Sequence, residues 1–102
     1  MDKIAALTEI LAADPANAFA RYGLAMEHNT QGNTDLALTE FTTLTQHNPD
    51  YVPAYQMSAQ TLAKQGRTDE AITRLKEGIT AAQRTNNTHA ASEMQALLEE
   101  LS

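Results

Sequence analysis

The chain has 102 residues, of which 42% are hydrophobic and 20% charged, with a net charge of −6 and no cysteine. That length fits one domain able to bury roughly two-thirds of its unfolded surface, with the make-up of an ordinary water-soluble protein. Disulfides, thiolate metal sites and thiol nucleophiles are excluded, which suits a reducing compartment such as the cytoplasm.

Seven basic residues lie scattered singly, so the clusters that grip nucleic-acid phosphates or anionic membranes are missing, and neither is an expected partner. The first 14 residues lack the apolar block of a secretory signal, and no run approaches the ~20 apolar residues of a membrane span.

Apolar residues recur at three- and four-residue spacings without β-type alternation, so the fold class is all-α. The first helix is predicted at about Lys3–Ala13, with Ile4, Leu7, Ile10 and Leu11 on one face and Pro15 ending it. Asn17 is a cap for a second helix over about 18–31, with Leu24, Ala25 and His28 inward. Gly32 makes the turn, and Thr34, followed by Asp35, caps a third helix to about residue 46 that buries Ala37, Leu38, Phe41 and Leu44. That helix carries Thr39, Thr42, Thr43 and Thr45, which disfavour it by roughly 2 kcal/mol relative to alanine, so it needs packing partners on its sides to form. A fourth helix over about 52–65 buries Tyr55, Ala59 and Leu62, and Gly66 turns the chain. The fifth starts at Thr68, with Asp69 and Glu70 in its first turn and Ala71, Ile72, Leu75 and Ile79 inward, and runs to about residue 84. The polar stretch Thr85–Asn87 breaks it, and a last helix from about Thr88 carries Met94, Leu97, Leu98 and Leu101 on one stripe.

These elements repeat. Pro15 and Pro49 are 34 residues apart, and at the same offset Ala20, Ala25, Gln31, Gly32, Thr34, Asp35, Ala37 and Thr39 meet identical residues. A fixed period of this length marks helix pairs that must stack to bury their apolar faces.

The period and the residues at fixed steps resemble the tetratricopeptide repeat family. The first unit supplies that family's pattern as Leu24, Ala25, Gly32, Ala37, Phe41 and Pro49, the second as Tyr55, Ala59, Gly66, Ala71 and Leu75. Ala25 and Ala59 stand where the two helices of a pair cross closely, met by Ala37 and Ala71. Arg21 occupies the first unit's aromatic position with Tyr22 one residue late, Ser58 replaces a leucine, and no proline closes the second unit. The resemblance implies a right-handed superhelix of about six helices forming one domain. Residues 3–13 would be a truncated half-repeat, 18–49 and 52–84 two full repeats, and 88–101 a capping helix displaced by about five residues from the strict period. The starting Met1 and that cap suggest a complete small protein.

In such stacks the first helix of each pair lines a concave groove. The expected groove residues are Phe19, Tyr22, Met26, Asn29 and Asn33, then Pro53, Gln56, Met57, Gln60, Lys64 and Arg67, with Ala90 and Gln95 on a third wall. Apolar and amide side chains together suit a protein or peptide segment. The competing reading is that Tyr22 and Met26 complete packing between repeats and the groove is inert. Some domains of this family clamp a C-terminal carboxylate, but Tyr22, Met26 and Met57 occupy the matching positions and donate neither amide nor ammonium bonds. Tails of the Hsp70/Hsp90 type are therefore not expected ligands, although Lys64 and Arg67 can meet an acidic group at one edge.

His28, His47 and His89 stand apart with no carboxylate at ligand spacing, so no metal or cofactor is expected, and His28 reads as a half-buried packing residue. Glu99–Glu100 and Asp69–Glu70 point about 100° apart and are solvated charges, and no phosphate loop or nucleophile elbow occurs, so the chain is not expected to be an enzyme. The alternative function is a structural unit that self-associates through Ile4, Leu7 and Leu11 of the first helix. A monomer or weak homodimer is the expected state.

Overall fold

The two glycine turns that follow a helix are closed by the same pair of hydrogen bonds. Gly32 (φ +81°) and Gly66 (φ +74°) stand in the left-handed region, which costs glycine nothing. The N–H of Gly32 bonds back to the Asn29 carbonyl and that of Asn33 to His28; Gly66 and Arg67 repeat this to Ala63 and Leu62. This double closure satisfies carbonyls that the helix end would leave orphaned. A third copy occurs where no glycine stands: Asn86 (φ 59°) bonds to Gln83 and Asn87 to Ala82. Asparagine tolerates this conformation better than other side chains.

The computed structural model describes residues 2–102, and the expected starting Met1 lies outside them. Among the described residues there are six helices and no strand: α1 (Lys3–Ala13), α2 (Ala18–Thr30), α3 (Thr34–His47), α4 (Val52–Lys64), α5 (Thr68–Arg84) and α6 (Thr88–Leu101). None is long and apolar enough to cross a membrane. The fold is all-α, as the periodicity predicts. The chain divides into two compact units, Met1–Asn48 with α1–α3 and Pro49–Ser102 with α4–α6.

In the first unit, Asp2 caps α1 by accepting the Ile4 N–H at 3.0 Å, and Asn17 caps α2 from Ala20 at 2.9 Å. Leu11 is buried with Ala20 and Leu24, and Ile4 and Leu7 pack against them. The stripe expected to pair with a second copy is therefore turned onto α2. Ile10, expected with them on the apolar face of α1, is 45% exposed, because residues 4, 7 and 11 are the ones that pack toward α2. Ala25, Ala37, Phe41 and Leu44 are buried on α2 and α3, while Leu38, expected inward with them, is only half-buried. Tyr22 does supply a late aromatic contact, its ring 6.1 Å from that of Phe41. Thr45 is buried as well, and its hydroxyl donates to the Phe41 and Thr42 carbonyls of its own helix.

Thr34 is not the cap of α3. Ala37 N–H already bonds to the Asn33 carbonyl, which makes Asn33 the cap residue and Thr34 the first residue inside, with no side-chain cap bond.

In the second unit, α4 contributes Val52, Tyr55 and Ala59, α5 Leu75, Ala81 and Ala82, and α6 Ala90 and Met94 to one core. Gly78 makes the closest approach. A Cβ there would lie 2.6 Å from Met94 Sδ and 2.7 Å from Tyr55 Cβ, so the missing side chain is the space into which α6 inserts Met94. The Tyr55 ring is tethered at both ends: its hydroxyl donates to the Pro49 carbonyl at 2.8 Å and the Arg74 guanidinium sits 5.2 Å from the ring centre.

Arg21 and Tyr55 occupy equivalent positions, and Arg21 makes the same tether by different chemistry, donating to the Pro15 carbonyl at 3.0 Å. Its guanidinium also pairs with Glu40 of α3 at 2.6 Å, both side chains being largely shielded from solvent. The departure from the aromatic thus keeps the bond and adds an ion pair between α2 and α3.

The last helix lags the 34-residue period by two residues, not five. Starts at Ala18 and Val52 are followed by Thr88, because α5 has 17 residues where α3 has 14, and the connection after it is one residue shorter. Asn87 caps Ala90 at 3.1 Å as Asn17 caps Ala20. With that lag, Ala20, Ala54 and Ala90 form one buried series and Leu24, Ser58 and Met94 another.

Candidate functional site

The expected groove residues fall on two surfaces, one in each unit. On α2, Phe19, Tyr22, Met26 and Asn29 follow at three- and four-residue steps and so share one face. Phe19 is 81% exposed, which no core requirement explains, while Tyr22, Met26 and Asn29 are half-buried. Asn33 lies past the end of this helix in the turn, exposed, with its N–H committed to His28.

On α4, Pro53, Gln60 and Lys64 are exposed and Gln56 and Met57 half-buried. Gln56 and Gln60 form one wall of a cleft of about 440 Å³ within the second unit. The facing wall comes from α6 as Glu93, Ala96, Leu97 and Glu100, over a floor that includes Met94. Gln56 Nε2 donates to Glu93 Oε1 across it at 3.2 Å. Pro53, Met57, Lys64 and Arg67 do not line this cleft.

The third wall therefore differs from the expectation. Ala90 is buried in the core and Gln95 is exposed outside the cleft. The two-residue lag is the reason: the positions of Met26 and Gln60 recur at Ala96, and those of Thr30 and Lys64 at Glu100. The signal was present in the sequence, where Asn17-Ala-Phe-Ala is echoed by Asn87-Thr-His-Ala.

Arg67, expected to offer charge at the groove edge, grips both carboxylate oxygens of Glu70 at 2.9 and 2.8 Å. That hydrogen bonding holds the Glu70 carboxyl below its ordinary range. Burial pushes the Tyr55 hydroxyl upward, against the pull of Arg74.

The histidines remain separate. His28 is half-buried with its Nδ1 atom enclosed and unbonded, and His47 is exposed. His89 does have a carboxylate neighbour, contrary to expectation, for Glu93 lies one turn on at 3.4 Å. Among the described residues no three metal-binding side chains converge.

A sequence profile described as tetratricopeptide repeat matches residues 28–101. No curated protein matches. Among solved structures, a tetratricopeptide repeat domain protein from Salinibacter ruber is 34% identical, with 87% of this chain and 90% of that one covered at a TM-score of 0.81. The complex of the TPR2B domain of yeast Sti1 with pHsp70 shares the fold at a TM-score of 0.87 and 20% identity, covering 96% of this chain and 78% of that one. The Yersinia enterocolitica type III secretion translocator chaperone SycD shares it at 0.86 and 15% identity, covering 96% and 68% respectively. With repeated turn closures, repeated caps and a matching profile over most of its length, the chain belongs to the tetratricopeptide repeat family.

Proposed function

We propose that the chain is a cytoplasmic, non-catalytic interaction module that takes a protein or peptide segment on the faces of its first-of-pair helices. In this reading residues 18–49 and 52–84 are its two repeats, 3–13 a preceding half-repeat, and 88–101 a cap that also carries groove positions. The observation that carries the reading is the stripe of α2, where Phe19 is 81% exposed beside half-buried Tyr22 and Met26. An exposed aromatic with adaptable apolar neighbours is the composition of a binding surface rather than of a solvated one.

The shared fold with the Sti1 domain in complex with pHsp70 and with the chaperone SycD supports a protein partner. The positions that would clamp a terminal carboxylate hold Tyr22, Met26 and Met57, so the segment bound here is not an Hsp70-type tail. The amides Asn29, Gln56 and Gln60 serve to pair with the partner's backbone. Asn33, Pro53, Lys64 and Arg67 lie at the margins, and the module acts as a monomer or weak homodimer.

The test is selection of binding peptides from an unbiased displayed library, followed by titration into the wild type, Phe19→Ser and Gln60→Ala. Both side chains are exposed, so neither change should alter the melting temperature. Selected peptides are expected to bind the variants about tenfold or more weakly. Failure to select any peptide, or equal affinity for all three proteins, would refute the proposal.

A further inference from the structure

We infer that the segment taken by the α4–α6 cleft is basic, an extended stretch with two lysines or arginines about three residues apart around an apolar residue. This rests on the interaction-module reading above and adds the chemical class of the partner. The cleft presents two carboxylates, Glu93 and Glu100, with Met94, Ala96 and Leu97 between and below them and no cation among its lining residues. Among the described residues Glu100 has no ion-pair partner, and Glu93 has the Gln56 amide and the exposed His89 ring.

Five of the chain's seven cations are committed elsewhere. Lys3 pairs with Glu27, Arg21 with Glu40, Arg67 with Glu70, Arg74 with Glu77 and Arg84 with Asp50. The remaining two, Lys64 and Lys76, do not line the cleft. An arriving lysine or arginine therefore meets carboxylates with no internal cation to displace, and an acidic segment meets like charge.

The geometry fixes the spacing. Glu93 and Glu100 are two helical turns apart, about 10 Å along α6. Three residues of a chain extended in the polyproline II form, with three residues per turn, rise about 9 Å and bring the side chain back to the same face. The aliphatic stems of the ligand's basic residues would lie on Leu97 and Ala96 while their heads reach the two carboxylates. The Gln56 carbonyl oxygen, left over once its amide nitrogen serves Glu93, accepts a backbone N–H of the segment.

The experiment uses three fluorescein-labelled ten-residue peptides with leucines at positions four and seven and lysine, glutamine or glutamate at positions three and six. Each is titrated by anisotropy into the wild type, Glu93→Gln/Glu100→Gln and Glu93→Lys/Glu100→Lys, all checked by circular dichroism melts. The lysine peptide is expected to bind most tightly, to weaken about tenfold on the glutamine variant, and to lose affinity as salt rises. The lysine variant is expected to reverse the preference toward the glutamate peptide. Equal binding of all three peptides, or an unchanged affinity on the double glutamine variant, would overturn the basic class. If library-selected peptides still respond to Phe19→Ser or Gln60→Ala in that case, the interaction reading stands without it. If neither these nor library-selected peptides bind, both fall.

Discussion

Substituting Gly78 by alanine sets two physical effects against each other. In a helix interior alanine is favoured over glycine by about 1 kcal/mol, so propensity alone says the change stabilises. The structure says otherwise, because the new methyl would sit 2.6 Å from Met94 Sδ and 2.7 Å from Tyr55 Cβ. Non-bonded carbons prefer about 3.5–4.0 Å. Met94 has a flexible thioether and can swing aside, but Tyr55 Cβ is fixed to the α4 backbone, and its ring is held by Pro49 and Arg74. Helices α4 and α5 must then part by about 1 Å, and overpacking of this kind costs about 1–3 kcal/mol. We expect Gly78→Ala to lose about 1–2 kcal/mol net and to lower Tm by about 5–10 °C. Gly23→Ala is the control, since its methyl would meet only the tips of Leu7 at 3.4 Å. That variant should gain about 0.5–1 kcal/mol from propensity. Urea unfolding followed by far-UV circular dichroism compares the two, with unchanged slopes showing that compactness is the same. A Gly78→Ala midpoint at or above the wild type would refute the close-approach reasoning.

The Tyr55 tether predicts both a stability loss and a titration. Tyr55→Phe removes the bond to Pro49 and should cost about 1 kcal/mol. Because burial raises the Tyr55 hydroxyl above its ordinary value of 10.0, the folded state holds that proton more tightly than the unfolded one. Its stabilising share is thus complete below pH 10 and is lost as pH rises through the folded value, and absorbance at alkaline pH should show a late-ionising component that vanishes in Tyr55→Phe. A high-pH end of the titration curve left unchanged by Tyr55→Phe would contradict this. Asn86→Gly should raise stability by about 0.5 kcal/mol, since it relieves a non-glycine residue at φ 59° without touching the turn's hydrogen bonds. A lower melting temperature would show that the Asn86 side chain makes an offsetting contribution.

The 34-residue echo made the helices and most of the core legible, because identical local rules were applied twice: a glycine in the left-handed region, a small residue at each crossing, a proline after the helix. Where chemistry changed but the role did not, the sequence was harder to read. Asn86 does the work of Gly32 and Gly66, and Arg21 reaches the carbonyl that Tyr55 reaches in its own unit. Side-chain identity alone does not reveal such equivalence, since hydrogen bonding to a carbonyl six residues back is open to either donor. Ile10 illustrates a different limit. Helical spacing gave a stripe of four residues, and only the direction of the partner helix decides which three are covered.

The third wall of the groove was missed for a reason rooted in how α5 ends. Helix α3 stops at His47, with Asn48 leaving helical geometry (φ −134°) immediately before Pro49. Helix α5 has no such proline and continues to Arg84 until Asn86 turns the chain. The longer helix, less the one residue by which the connection is shorter, delays α6 by two residues, which carries Met94 into the buried series of Leu24 and Ser58. Met94 then fills the notch at Gly78, and this fixes the rotation of α6 about its own axis. With residue 94 inward, residues 93, 97 and 100 fall on the adjoining stripe, toward Gln56 and Gln60 of α4. The residue that anchors the last helix to the core is thus also what aims its two carboxylates at the cleft. Core packing and the proposed binding surface are set by one contact, through a glycine that has no counterpart in the first unit, where Leu44 stands.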